Sequence, residues 1–311
     1  MRTNKKRKKA LWISASILLV LLIGIGAYGI KLYLSVHNAL NTMQQPIEKS
    51  EKRENEISIQ KRDPFSVVLL GIDEREHDVG RTDTIIVATV NPEQNTIKML
   101  SIPRDTRTEI VGNGTIEKIN HAYVRGGTQM SIATIEHFLD IPIDYYVQVN
   151  LEGFQGIIDA FGGVTVENDM DLTYKKYHFP EGNITLNGKE ALIFSRIRKE
   201  DPRGDFGRQI RQKQIIQAIL NEGTKLSSFL KYDTVLANLG DSVKTNISLK
   251  EMISLQQQYS GIEKNIEQFQ FEKFNGGYIG EYWYFFPDEE EVEKYQAMFK
   301  EHLQLDKHVS K

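Results

Sequence analysis

Cysteine is missing altogether from the 311 residues. Its absence excludes a disulfide framework and any thiolate zinc site. The seven histidines are scattered, and no two have the spacing of a metal clamp on one helix. There is no internal repeat and no low-complexity tract. Acidic residues are missing from the first ten positions, which hold six basic ones: Arg2, Lys5, Lys6, Arg7, Lys8 and Lys9. The formal net charge is −3, so subtracting those six positives leaves −9 for the rest. An acidic body does not suit nucleic-acid phosphates. Any basic site within it has to be local.

Charge is missing again from residues 11–30. Such a run is long enough to cross the ~30 Å hydrocarbon core as a helix. Six positives before it, against Lys31 just after it, predict a cytoplasmic N-terminus. A cleaved signal peptide would have a shorter apolar region, roughly 7–15 residues, and a small-x-small cleavage site; an uncleaved signal-anchor fits better. Gly24-Ile-Gly26-Ala-Tyr-Gly29 matches a dinucleotide-binding fingerprint by letter, but it does not sit between a strand and a helix. The expected organisation is a basic cytoplasmic tail at 1–10, a transmembrane signal-anchor at 11–30 and a polar stalk at 31–63, partly helical or disordered. One extracytoplasmic domain at 64–311 follows, with its start marked by Asp63-Pro64. The protein is thus expected in the cell membrane, single-pass, with its folded domain outside.

What is present is concentrated in residues 65–105. Val67-Val-Leu-Leu70 reads as a buried strand that ends in Gly71-Ile-Asp73. Arg81-Thr-Asp83-Thr leads into a second strand, Ile85-Ile-Val-Ala-Thr-Val90. After a turn at 91–95, Thr96-Ile-Lys-Met-Leu-Ser-Ile102 forms a third, closed by Pro103-Arg104-Asp105. The turn makes strands two and three antiparallel, so Arg81, Asp83 and Arg104 meet at one sheet edge. If strand one runs parallel to strand three, Asp73 joins them. Two carboxylates and two guanidiniums at one rim suit a divalent cation and a phosphate. They also suit a solvated rim of ion pairs.

Further along, residues 115–124 are expected as a helix ended by Gly126-Gly127, and Thr128 opens the next, through Leu139. Tyr145-Tyr-Val-Gln-Val149 alternates like a strand, residues 151–161 read as a helix stopped by Gly162, and Val164-Thr-Val166 is a strand. Asn187-Gly-Lys-Glu190 resembles a capping box opening a helix through Arg198. A long helix is expected at 208–221, and another at 247–259. Residues 268–271 and 282–286 read as strands, before a last helix through Leu303. Strands alternating with helices predict an α/β class, a mixed sheet flanked by helices in an αβα sandwich. Arg208, Arg211 and Gln212 lie three and four apart, hence on one helix face near its N-terminus, where the dipole favours an anion. Arg196, Arg198 and Arg203 precede them. Arginine rather than lysine suits bidentate phosphate recognition; a solvated helix face is the competing explanation.

Taken together, these residues resemble the LytR–CpsA–Psr family from about Phe65 to Asn221. The marks are Leu70-Gly71-Ile72-Asp73, Arg81-Thr-Asp83-Thr, Ser101-Ile-Pro-Arg104-Asp105, Lys118-Ile-Asn-His-Ala-Tyr123, Phe161-Gly-Gly-Val-Thr-Val166, Leu186-Asn-Gly-Lys-Glu-Ala-Leu192, Arg196-x-Arg198 and Asp205-Phe-Gly-Arg208-x-x-Arg211-Gln212. The resemblance implies a membrane-anchored glycopolymer-phosphate transferase. Such an enzyme moves wall teichoic acid or a similar polymer from a polyprenyl-pyrophosphate carrier to peptidoglycan, forming a phosphodiester. It implies that Asp73 and Asp83 hold Mg²⁺ or Mn²⁺. It also implies that Arg81, Arg104, Lys118, Arg196, Arg198, Arg208, Arg211 and Gln212 bind the pyrophosphate, with Arg104, Asp105 and Asp73 in catalysis. An apolar cavity for the prenyl chain is expected beside them. The alternatives are a polyprenyl-pyrophosphate phosphatase with the same clamp, and a non-catalytic lipid- or polymer-binding module or attenuator of gene expression.

Overall fold

The structure, a computed structural model, describes residues 42–75, 78–223, 240 and 242–305. The tail and the segment expected to span the membrane lie outside these. Among the described residues no helix is long and apolar enough to cross a membrane.

The chain runs through β1 (Phe65–Arg75), β2 (Asp78–Asn91), β3 (Thr96–Ser101), β4 (Arg107–Ile110), β5 (Thr115–Lys118), α1 (His121–Leu139), β6 (Tyr145–Asn150), α2 (Leu151–Phe161) and β7 (Val164–Asn168). It continues through β8 (Leu172–Tyr174), β9 (Tyr177–Phe179), β10 (Gly182–Leu186), α3 (Gly188–Phe194), α4 (Asp205–Gly223), β11 (Val243–Thr245), α5 (Leu249–Gln258), β12 (Ile266–Gln270), β13 (Phe274–Ile279), β14 (Tyr282–Pro287) and α6 (Glu289–His302). Six strands make one mixed sheet in the order β11-β6-β1-β2-β3-β12. β1, β2 and β3 are successively antiparallel, so β1 and β3 run parallel. β6 joins β1, and β12 joins β3, in parallel.

Both faces of the sheet are covered, which is why its strands read as near-continuous apolar runs. On one face Val68, Leu70, Ile72, Ile85 and Val87 pack with Ile132 and Ile135 of α1 and Phe299 of α6. On the other, Phe65, Ile86, Ala88 and Val90 pack with Tyr259 and Ile262. A second core, with Ile158, Val166, Phe194 and Ile215 at its centre, lies under α2, α3 and α4. The expected sandwich of helices on a mixed sheet is therefore the one observed.

Helix ends follow local chemistry. Asn150 caps α2 by accepting from Gly153 N, and Gly162 ends it at φ 84°, a left-handed turn that needs glycine. The capping box at Asn187 and Glu190 is present. Asp288 caps α6, whose first turn holds Glu289, Glu290 and Glu291.

Three expectations are corrected. Residues 115–118 are a strand paired with β4, not the start of a helix: Ile116, an apolar residue of the expected helix, is exposed. Gly126-Gly127, by contrast, do interrupt the helix as expected: both have non-helical φ and ψ, so α1 is two helices that meet at a kink there. The helix opened by Asn187 ends at Phe194, so Arg196 and Arg198 stand on an irregular segment. Residues 42–63, polar enough to read as a stalk, also lie against the body. Gln45 N donates to Thr245 O (2.8 Å), and Arg53 Nε donates to Asp144 Oδ1 (2.9 Å).

α6 is fastened by His302, which is buried, its ring nitrogens 2.7 Å from Thr89 Oγ1 and 2.8 Å from Thr96 Oγ1. Burial, with Lys98 acting the same way, pushes its pKa down to about 4. The unfolded chain, with histidine near pH 6.5, then binds more protons than the folded one between about pH 4 and 6.5. Stability is expected to fall by roughly 3 kcal/mol as pH drops through that window. The slope should vanish in His302→Gln when denaturant midpoints are followed against pH; an unchanged slope would remove His302 as its origin.

Candidate functional site

The site is built on a register fault. Gly71 pairs with Thr84, but Ile72 pairs with Thr82, so Asp83 is the extra residue of a β-bulge. Without it, alternation would turn Asp83 and Arg81 onto the buried face that holds Ile85 and Val87. With it, Thr82 takes the buried position beside Ile72, and Arg81 comes opposite Asp73. Asp83 is freed to face the end of β3.

At that edge the early acids and the late arginines meet. Arg196 Nη2 lies 2.9 Å from Asp73 Oδ2, across 123 positions of sequence. Arg104 Nη1 donates to Asp83 Oδ1 at 2.6 Å. Arg104 Nε stands 3.7 Å from Asp105 Oδ2, and Lys118 Nζ is 2.7 Å from Asp105 Oδ1. Burial, the largest single influence, works against Arg104's charge, but Asp83, Asp105 and Asp205 together outweigh it: its pKa is raised.

The first turn of α4 completes the cluster. Arg208 Nη2 lies 2.8 Å from Asp205 Oδ1, and Arg198 Nε is 3.8 Å from the same oxygen. Burial lowers the pKa of Arg208; Arg104 and Arg198 push the same way, against Asp205 and Asp83. Its Nε is buried with no hydrogen-bond partner. A guanidinium whose charge is under-compensated and whose donor is unused is prepared for an anion. The position at a helix N-terminus favours one as well. Gln212 is half-buried one turn further along, and Arg81 is exposed.

Arg211 is not brought to this cluster, which corrects the reading that placed it on one face with Arg208 and Gln212. It is fully buried. Nε donates to Phe194 O at 3.0 Å, and the other two nitrogens donate to Asp201 Oδ2 and Ile197 O. Arg203 also turns away, to Asp169 and Asp201. Burial works to raise the pKa of Asp201, but the hydrogen bonds from Arg203 and Arg211 win and hold it at about 2. A Cβ on Gly207 would lie 1.8 Å from Asp201 Oδ2, so α4 can approach this network only through glycine. Asp201 and Arg211 thus fix the segment that carries Arg196 and Arg198. Two residues of consequence were given no role from the sequence: Asp205, quoted there only as part of a motif and shared by Arg198 and Arg208, and Asp201. Their signal was an aspartate inside an arginine-rich stretch of an acidic protein.

Among the described residues no group of three or more His, Asp or Glu could hold a metal ion. Asp73 and Asp83 are two carboxylates at an anion site. One or two carboxylates, with phosphate oxygens and water as the remaining ligands, is the set Mg²⁺ takes beside a bound phosphate. The residues fit an ion that enters with a phosphorylated ligand and do not form a ready-made cage.

Comparison with known proteins shows the family. The family model described as "LytR_cpsA_psr family" matches residues 30–301. A Bacillus subtilis (strain 168) protein named polyisoprenyl-teichoic acid–peptidoglycan teichoic acid transferase TagU is 46% identical over 301 residues, covering 97% of this chain and 98% of its own. The crystal structure of B. subtilis TagU superposes with a TM-score of 0.65 at 46% identity, covering 78% of this chain and 97% of that one. A structure titled "TagT bound to LIIa-WTA" superposes at 0.70 with 32% identity, covering 83% and 97%. A family-model match over nearly the whole length, with a relative at 46% identity, makes this chain a member of the LytR_cpsA_psr family.

Proposed function

We propose that the protein transfers a teichoic-acid-type polymer from a polyprenyl-pyrophosphate carrier to peptidoglycan, at the outer face of the membrane to which residues 11–30 anchor it. The observation that carries this reading is the joining of Asp73 and Asp83 with Arg104, Arg196 and Arg208 at one sheet edge. Four positively charged side chains, Arg104, Arg196, Arg198 and Arg208, suit a pyrophosphate. An apolar approach leads to them. Val67 and Leu69 lie on a central strand, on the face that ends in Asp73, yet they are only half-buried. Val147, the parallel partner of Leu69, is half-buried too, so an apolar chain has a surface to rest on.

In the proposed reaction the acceptor hydroxyl oxygen bonds to the phosphorus that carries the polymer. The bond from that phosphorus to the bridging oxygen breaks, and polyprenyl phosphate leaves with the electron pair. The hydroxyl proton passes to a carboxylate of the rim, Asp105 or Asp73. Arg104 and Arg208 stabilise the charge that grows on the leaving phosphate, and they do so more in the transition state than before it. Mg²⁺ held by Asp73 and Asp83 would supply Lewis-acid neutralisation of the phosphate oxygens.

The test is a reconstituted reaction with carrier-linked polymer and soluble glycan strands. Polymer covalently attached to glycan is expected. Release of inorganic phosphate or free polymer phosphate, with nothing attached, would assign a phosphatase instead. In addition, Asp73→Ala is expected to weaken Mg²⁺ binding at least tenfold, measured calorimetrically in the presence of a short prenyl pyrophosphate. Unchanged affinity would remove Asp73 from the metal site.

A further inference from the structure

The ribbon β13–β14 stands at the edge of the site, and none of the chemistry above uses it. Strand alternation divides β14 into two faces. Phe285 is buried and Trp283 packs with it against the main core. Tyr282, Tyr284 and Phe286 therefore point the other way. Tyr282 is 61% exposed, and the Tyr284 and Phe286 rings are 6.3 Å apart. On the neighbouring strand Gly277 pairs with Tyr284, and Asn275 with Phe286. No large side chain on β13 covers these two rings.

This stripe runs into the charged cluster. Lys118 Nζ sits 5.8 Å from the Tyr284 ring centroid and 2.7 Å from Asp105. Phe285 N donates to Asp105 O at 2.9 Å. Phe206, in the turn of α4 that holds Arg208, packs on Phe274 of the ribbon. The ribbon packs on the core that holds Val68 and Leu70, whereas the apolar approach past Val67 and Leu69 lies on the opposite face of the sheet.

We propose that the outward face of β14, Tyr282-Tyr284-Phe286, is the platform on which the acceptor glycan strand rests, with Tyr284 placing one sugar beside Asp105. This rests on the transfer reading given above. A pyranose presents an apolar C–H face to a flat ring and hydroxyls at its edges, which tyrosine can meet with its own. On β14 the stripe carries no lysine or arginine, Lys118 beside Tyr284 is paired with Asp105, and the turn at the tip carries Glu281. Anionic polymer and anionic membrane surface both call for basic residues there; a sugar chain without dense charge does not. An exposed aromatic patch continuous with a reaction centre is the kind of surface that binds a second substrate.

Tyr282→Ala, in the full-length protein, is the decisive variant, because an exposed side chain can be removed with the fold intact. The expected result is a rise in acceptor KM of about tenfold, with kcat and donor KM within twofold. Tyr282→Trp should restore it. Tyr278→Ala, on the opposite face of the ribbon, should change nothing. Binding of soluble glycan strands, read by calorimetry without donor, should weaken in parallel. Unchanged glycan binding and acceptor KM in Tyr282→Ala would overturn the platform, as would a loss confined to association with anionic vesicles. Tyr282-dependent glycan binding in a protein that never attaches polymer would overturn the transfer reading and leave the platform standing.

Discussion

Arg104→Ala leaves the protein folded and lowers polymer transfer by about 10²–10³-fold, the effect of deleting one preorganised donor from a charge-stabilising site. The expectation follows from geometry. Arg104 touches Asp83 and Asp105 and lies close to Asp205 and Arg208, so it stands where the two halves of the site meet. Its side chain is part-exposed at the rim, so little packing is lost. Arg104→Lys should recover only part of the activity, because one ammonium cannot span the positions that a guanidinium bridges. The measurement is single-turnover transfer, with a denaturant midpoint beside it. Near-normal turnover in Arg104→Ala would remove the residue from catalysis.

Arg211→Met gives the opposite pattern. The loss of stability is expected to be about 3–5 kcal/mol, because it removes one of the two arginines that hold the buried Asp201 carboxylate and leaves Phe194 O and Ile197 O without their donor. Transfer falls too, though indirectly, since the segment bearing Arg196 and Arg198 loses its anchor. Asp201→Ala should behave alike, leaving Arg211 buried and unpaired. The two arginines are thus separable by one pair of measurements: Arg104 moves rate and not the unfolding midpoint, and Arg211 moves the midpoint first. A shift below about 1 kcal/mol in Arg211→Met would show that the network contributes little.

Much of this was legible in the chain. The hairpin of β2 and β3 follows from two apolar runs around a five-residue turn, and it brings Asp83 to Arg104. The joining of Asp73 to that edge depended on strands one and three being parallel, which β2 between them enforces. The rest was hidden for physical reasons. A bulge leaves no mark in composition, yet it decides which way Asp83 points. Helical spacing put Arg208 and Arg211 on one face, but a three-residue step turns far enough for one to reach the rim and the other to enter the interior. Ile116 mimicked a helical period while lying exposed on a strand. β13 escaped notice because Gly276 and Gly277 weaken its strand pattern. They are there for the rings: a Cβ on Gly276 would stand 2.8 Å from the Trp283 ring.

The central claim is that carboxylates from β1 and β2 and guanidiniums from the chain around α4 grip one ligand together. It is tested most directly by a crystal structure of the protein with a short prenyl pyrophosphate and Mg²⁺. Both phosphates should lie between Asp73 and Asp83 on one side and Arg104, Arg196 and Arg208 on the other, with the prenyl chain against Val67 and Leu69. Phosphates bound elsewhere, with Arg196 and Arg208 pointing into solvent away from both aspartates, would contradict it.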